Sequence, residues 1–126
     1  MAELNAIGIV ASDMARSIMF YRLLGLDFPE TPDEGHLEAK LPGGTRLMLD
    51  SEATVRSFRP DWERAVGNQL ALAFECGSAA EVDELYGQIV ESGFQGEKAP
   101  WDAFWGQRYA QLLDPDGNPI DLYAPL

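Results

Sequence analysis

An internal repeat constrains the fold of this chain more than any other feature of its sequence. Residues 6–25 and residues 71–93 each hold a short apolar run, a polar pair, a helical pattern and a closing glycine. Residues 41–45 also resemble residues 114–118, and the composition of both segments predicts a turn. Two modules, residues 1–50 and 68–126, are therefore expected, and residues 51–67 form a connector without a counterpart.

Each module opens with a strand and a helix. Residues 4–10 are apolar and partly β-branched, which indicates a strand. Ser12 or Asp13 can cap the following helix, and Gly25 supplies the positive φ at its end. In the second module Ser78 and Glu81 form a capping box. Its helix carries an apolar stripe at helical spacing: Val82, Leu85, Tyr86, Ile89 and Val90.

Strands follow each helix. Residues 36–41 and 46–50 alternate polar and apolar side chains on either side of a Pro-Gly-Gly turn. Residues 107–113 and 120–123 repeat this hairpin around residues 114–118. The order of strand, helix and strands, given twice, predicts an α+β protein. One helix per module covers only one face of its sheet.

Period-two alternation predicts which side chains occupy the face opposite the helices. In the first module they are Ala6, Gly8, His36, Glu38, Lys40, Arg46, Met48 and Asp50. In the second module they are Ala71, Ala73, Glu75, Tyr109, Gln111, Asp121 and Tyr123. Small residues beside polar groups and tyrosines favour a ligand cavity, although a solvated sheet face has the same pattern.

The net charge excludes several partners. Nine Lys and Arg against 21 Asp and Glu give a net charge of −12, which repels nucleic acid and anionic membranes. Cationic small molecules are tolerated or attracted. No apolar run approaches the roughly 18 residues of a membrane span, and the N-terminus lacks a signal-peptide pattern, so we expect a cytoplasmic protein. The lone Cys76 lies in an apolar run and is expected to be an inert core thiol.

Two motifs carry a family resemblance. Residues 7–17, with Phe20-Tyr21 and Leu24-Gly25, resemble the opening of the vicinal-oxygen-chelate superfamily, which holds the glyoxalase, bleomycin-resistance and extradiol-dioxygenase proteins. Residues 114–122 resemble the final hairpin of that superfamily. The resemblance implies a single domain over residues 1–126, built from two βαβββ modules that form a cupped mixed sheet. It also implies a homodimer in which module one of one subunit meets module two of the other.

The resemblance also gives the positions at which metal-dependent members hold a divalent ion. These positions correspond to Ala6, Met48, Ala71 and Asp121. The alanines cannot ligate, a thioether suits hard ions poorly, and one carboxylate cannot hold such an ion alone. We therefore predict no metal and no other cofactor.

A second set of motifs is similar to the mitomycin-resistance proteins of actinobacteria, which bind drugs. It comprises residues 52–58, 60–62 and 100–109. The similarity implies that Trp105 stacks on a flat drug and that His36 contacts it, whereas a tryptophan expected near Met48 is missing. The predicted ligand-binding residues are His36, Glu38, Met48, Trp101, Trp105, Tyr109, Gln111 and Asp121, with no catalytic residue. Phe104 is expected in the core or at a dimer seam.

Three functions remain open from the sequence. The first is metal-free binding and sequestration of a planar, mitomycin- or bleomycin-like antibiotic, which confers self-resistance. The alternative is a lyase or isomerase that uses Glu38, Glu75 or Asp121, or an atypical metal site. The third is a binding module for a metabolite that is not a drug. Recovery of an intact ligand distinguishes binding from turnover.

Overall fold

The computed structural model describes residues 1–32, 34–67 and 69–126. The chain divides into two compact units, Met1–Arg64 and Ala65–Leu126. Residues 51–64 of the expected connector thus belong to the first unit. Among the described residues, no helix combines the length and the apolar character that crossing a membrane requires.

The first unit holds a three-stranded mixed sheet. Its elements are β1 (Ala6–Ala11), α1 (Met14–Leu23), β2 (His36–Lys40), β3 (Arg46–Ser51) and α2 (Glu52–Phe58). The strand order is β1-β3-β2, with β1 parallel and β2 antiparallel to β3. This is one strand fewer than a βαβββ module, because the described residues between α1 and β2 form no strand. That stretch contains Pro29 and Pro32, which cannot donate to a ladder.

The second unit has the full βαβββ order. Its elements are β4 (Leu72–Glu75), α3 (Ala79–Glu91), β5 (Gln95–Ala103), β6 (Gln107–Leu113) and β7 (Pro119–Pro125). The sheet order is β4-β7-β6-β5, in which β4 is parallel to β7 and the other pairs are antiparallel. The α+β class is confirmed, in the form of two separate small mixed sheets.

The helix ends follow the capping residues of the sequence. Asp13 Oδ1 accepts a hydrogen bond from the Arg16 backbone N–H at 3.1 Å, and Ser78 Oγ accepts one from the Glu81 N–H at 3.1 Å. The Glu81 carboxylate accepts from the backbone N–H of Gly77, one residue before the position that a capping box predicts. Both caps satisfy donors that the first helical turn leaves free.

Alternation decides which side of each sheet is buried. In the first unit the residues facing α1 are Leu37, Ala39, Leu47 and Leu49, all at most 7% exposed. In the second unit Ala110, Leu112, Ile120 and Leu122 are buried with Val82 and Ile89 of α3. Burial alternates as predicted along β2, β3, β6 and β7, whereas Ile7, Ile9, Leu72 and Phe74 of β1 and β4 are only half-buried. The side chains between the buried positions lie on the opposite faces.

Candidate functional site

A polar network crosses the first sheet on the face opposite its buried side chains. We call this face of each sheet its outer face. His36 of β2 lies opposite Asp50 of β3, and its Nδ1 is 2.5 Å from Asp50 Oδ1. Its Nε2 is 2.7 Å from Oε2 of Glu38, two residues along the same strand. The period of two that buries Leu37 therefore places His36 and Glu38 side by side on the other face.

The two carboxylates determine the protonation state of His36. An ionised carboxylate only accepts hydrogen bonds, so each ring nitrogen must carry a proton to bond its neighbour. Hydrogen bonds to Glu38 first, and then to Asp50, raise the pKa of His36. The two contacts thus favour the imidazolium form over the neutral ring, although 43% of the His36 side chain is exposed.

Arg46 continues this network along β3. Its Nη1–H group donates to Glu38 Oε1 at 2.9 Å, and its Nη2–H group donates to Asn5 Oδ1 at 3.0 Å. The bonds from His36 and then Arg46 lower the pKa of Glu38. A carboxylate with a lowered pKa is a weaker base, so Glu38 is a charge partner here rather than a group ready to take a proton.

Met48 lies within the same face. It is the register partner of Gly8 on one side and of Glu38 on the other. Its Cε atom is 3.6 Å from the point that a Cβ atom on Gly8 would occupy. The space left by this small residue is thus partly filled by the thioether.

The outer face of the second sheet is aromatic. Tyr109 of β6 lies between Trp101 of β5 and Tyr123 of β7 in the strand register. The Tyr109 and Tyr123 rings stack with centroids 6.3 Å apart and an interplanar angle of 24°. Trp101 meets Tyr109 edge to face at 5.5 Å. Three adjacent strands therefore present a continuous row of rings.

Asp121 is tied to this row by a hydrogen bond. The Tyr109 hydroxyl donates to Asp121 Oδ2 at 2.6 Å. Burial, and then the bond to Asp121, raise the pKa of Tyr109 to about 12, so the phenol stays protonated at neutral pH. Gln111 is the neighbour of Asp121 on β6, and Ala73 is its neighbour on β4.

Trp105 stands on the turn between β5 and β6. Its ring centroid lies 6.2 Å from that of Trp101 and 5.3 Å from that of Tyr109. Its indole N–H donates to Gln107 Oε1 at 2.8 Å, which fixes the orientation of the ring. The residue is still 48% exposed, so part of its surface is open to a ligand.

Phe104 was expected in the core or at a dimer seam, and the structure corrects the first of these two expectations. It is 97% exposed and contacts the Trp105 ring at 5.0 Å, so it is not part of the core of this unit. The turn at Gly106, where φ is +89°, directs the two neighbouring rings to the end of the hairpin.

Lys98 belongs to the aromatic face but was missed in the sequence. Its Nζ atom lies 3.8 Å from the ring centroid of Trp101, which is a close cation–π contact. The pairing of β5 with β6 shifts register on both sides of Lys98. Regular alternation would place Lys98, three residues from Trp101, on the opposite face of the strand. The register shifts, with Gly96 and Pro100 nearby, break that alternation and bring Lys98 to the face of Trp101.

The eight predicted ligand-binding residues fall into two groups. His36, Glu38 and Met48 share the outer face of the first sheet. Trp101, Tyr109, Gln111 and Asp121 share the outer face of the second sheet, with Trp105 at its hairpin turn. Within each group the structure brings the residues together.

The residues at the family's metal positions do not fit a divalent ion. Ala6 and Ala71 have no donor atom, and Met48 offers only a thioether. Asp121 is the one hard ligand of the four, and it already accepts the Tyr109 hydroxyl. Elsewhere among the described residues, no group of three or more His, Cys, Asp or Glu side chains could hold a metal ion.

A hollow in the first unit has a volume of about 710 Å³ and is lined by residues of α1 and by residues between 25 and 32. None of the eight predicted residues lines it. Cys76 lines a smaller, acidic hollow of the second unit and is half-buried, and burial followed by the charge of Glu81 raises its thiol pKa. A raised pKa agrees with an unreactive thiol.

One family model matches nearly the whole chain. The family model described as the Glyoxalase/Bleomycin resistance protein/Dioxygenase superfamily matches residues 3–122. The uncharacterized protein YwkD of Bacillus subtilis (strain 168) is 28% identical over 129 residues, covering 96% of this chain and 95% of YwkD.

Solved structures share the fold. A glyoxalase/bleomycin resistance protein/dioxygenase family enzyme from Burkholderia phytofirmans PsJN has a TM-score of 0.84 and 21% identity, covering 99% of this chain and 100% of its own. A lactoylglutathione lyase from Agrobacterium tumefaciens has a TM-score of 0.68 and 20% identity, covering 98% and 94%.

Proposed function

Since the chain belongs to the Glyoxalase/Bleomycin resistance protein/Dioxygenase superfamily, we propose that it binds and sequesters a planar aromatic small molecule without a metal. The proposed ligand is an antibiotic of the mitomycin or bleomycin kind, and the proposed consequence is self-resistance. The observation that carries the proposal is the aromatic face of the second sheet, formed by Trp101, Trp105, Tyr109 and Tyr123.

The aromatic face suits a flat ligand for two reasons. Tyr109 and Tyr123 stack nearly parallel, so a third ring can extend the same stack. Trp105 is held by its bond to Gln107 and keeps about half its surface exposed, so little order must be created on binding. Each aromatic pair formed contributes roughly 0.5–1.5 kcal/mol beyond the burial of area.

Binding rather than turnover is favoured by the state of the carboxylates. A lyase or isomerase would need a carboxylate free to take a proton, or a metal to polarise the substrate. Of the three candidate carboxylates, Glu38 is engaged by His36 and Arg46, Asp121 is engaged by Tyr109, and Glu75 is exposed to water. The metal positions hold two alanines and a methionine. We therefore rank ligand binding above the enzyme alternative.

We propose further that the protein is a homodimer. We also propose that His36, Glu38 and Met48 contact the ligand. Light scattering at micromolar protein concentration tests the dimer, and a monomer would contradict it. His36→Ala should weaken binding by about 1 kcal/mol, the loss of one stacking or hydrogen-bonding partner.

The experiment is a fluorescence titration with mitomycin C, bleomycin and the plain heterocycle acridine. We expect at least one of them to quench tryptophan emission in a saturable, stoichiometric manner. Trp105→Ala should weaken that binding by about 2 kcal/mol, a factor of about thirty, as for an aromatic hot spot. Mass spectrometry of the released ligand should find it chemically unchanged.

Trp62→Ala is the matched control. Trp62 is not one of the eight predicted ligand-binding residues, and it contacts the guanidinium groups of Arg56 and Arg64, so its loss should leave affinity nearly unchanged. If none of the three compounds binds, or if Trp62→Ala fails while Trp105→Ala binds like the parent, the proposal is wrong. A modified product would favour the lyase or isomerase alternative.

A further inference from the structure

The position of Lys98 identifies a more specific feature of the aromatic face. Its ammonium nitrogen lies 3.8 Å from the ring centroid of Trp101, well inside the roughly 6 Å limit for a cation–π contact. Tryptophan is the best of the aromatic rings for such contacts. The protein's own side chain thus occupies a place at which a cation is attracted.

Three rings make this place resemble a corner. The interplanar angle is 89° between Trp101 and Trp105, 68° between Trp101 and Tyr109, and 78° between Trp105 and Tyr109. Rings at near right angles have faces that point in different directions, and aromatic cages that bind methylated ammonium groups use several such faces.

Negative charge lies on the same face of the sheet. Glu75 of β4 is the register partner of Tyr123, and Asp121 of β7 accepts the hydroxyl of Tyr109. The Tyr109 hydroxyl positions the Asp121 carboxylate without adding a positive charge. The chain as a whole carries −12, so a cation approaching this face is attracted at long range as well.

We propose that the face of Trp101 covered by Lys98 is a subsite for a positively charged nitrogen of the ligand, which displaces the lysine when it binds. This subsite rests on the proposed function, because it lies on the same aromatic face. Lys98 is exposed and lies between two register shifts of β5, so its side chain can move aside without breaking a regular ladder. The ligand class is then a planar aromatic cation.

The test compares two probes of nearly the same shape by isothermal titration calorimetry at pH 8. N-methylacridinium is a permanent cation, and acridine is neutral at this pH. We expect the parent protein to bind N-methylacridinium at least five-fold more tightly than acridine. Lys98→Met should tighten N-methylacridinium binding a further three- to five-fold and leave acridine binding within two-fold. Lys98→Gln repeats the test with a polar replacement.

Arg59→Met is the control for net charge. It removes one positive charge, as Lys98→Met does, but from the first unit, and it should change neither affinity by more than about 1.5-fold. Equal binding of both probes by the parent would overturn the subsite and leave the proposed function standing. A Lys98→Met effect that is absent, or equal for both probes, would overturn it too. If neither probe nor either antibiotic binds, the subsite and the proposed function both fail.

Discussion

Replacing Tyr109 by Phe removes the hydroxyl that donates to Asp121 at 2.6 Å and keeps the ring. A hydrogen bond to a charged acceptor contributes roughly 1.5–3 kcal/mol, and water can reach the half-buried Asp121 once the hydroxyl is gone. We therefore expect the lower value, a loss of about 1.5 kcal/mol in the free energy of unfolding at pH 8. Urea unfolding of parent and variant measures it.

The pH dependence of this loss is a sharper test. Tyrosine ionises near 10 in an unfolded chain, and the folded protein raises the pKa of Tyr109 to about 12. A raised pKa gives stability that is complete below pH 10 and is lost as the pH rises toward 12. A rise in the pKa from about 10 to about 12 lets Tyr109 contribute at most roughly 3 kcal/mol to the free energy of unfolding, and about half of that contribution is lost by pH 11. The variant lacks this group and should not share that decline.

The difference between parent and Tyr109→Phe should therefore shrink from about 1.5 kcal/mol at pH 8 to nearly zero at pH 11. Tyr123→Phe is the control, since it removes the neighbouring hydroxyl of the same face and leaves the bond to Asp121 in place. It should stay within about 0.5 kcal/mol of the parent at pH 8. A Tyr109→Phe variant as stable as the parent, or a difference that stays constant to pH 11, would refute the reasoning.

Three further predictions follow from other contacts. His36 is the one histidine of the sequence, and its pKa is raised, so its contribution to stability should be complete below pH 6.5 and decline above it. Urea unfolding should show this decline in the parent and not in His36→Gln. A parent without the decline would contradict the network. Ser78→Ala should lower the free energy of unfolding by about 1 kcal/mol in the same assay, because the hydrogen bond from the Glu81 N–H to the capping hydroxyl is lost. Ser57→Ala is the control and should lower it by less. Elemental analysis of protein purified without chelators should find well under one equivalent of zinc, nickel, manganese or iron; a full equivalent, lost on Asp121→Asn, would contradict the donor argument.

Much of the fold could be predicted from the sequence because alternation and caps are local signals. The buried faces of β2 and β3 follow from the period of two, and Asp13 and Ser78 mark the two helix starts. The family resemblance implied a strand between α3 and the final hairpin, but the pattern did not locate β5, because its polar residues, glycine, proline and two register shifts disrupt the alternation. The first module has one strand fewer than expected, because Pro29 and Pro32 interrupt the segment before β2.

The site was predictable only as a list of neighbours on a face. Alternation placed His36 and Glu38 together, but the double contact of His36 depends on Asp50 arriving opposite it through the register of β3. The Lys98 contact with Trp101 depends on irregular pairing that no local pattern records. Whether the eight predicted residues contact a ligand stays a prediction.

The place of β7 in the sheet has a consequence for synthesis on the ribosome. In the second unit, β7 lies between β4 and β6, yet it is the last strand of that unit to be made. Until residues 119–125 emerge, β4 has no neighbour, and the hairpin of β5 and β6 has an open edge. The first unit has its own central strand, β3, by residue 51 and can close long before. A nascent chain that is halted after the first unit has emerged, but before residues 119–125 have, should therefore carry a protected first unit. Its second unit should still be accessible to proteases and chaperones.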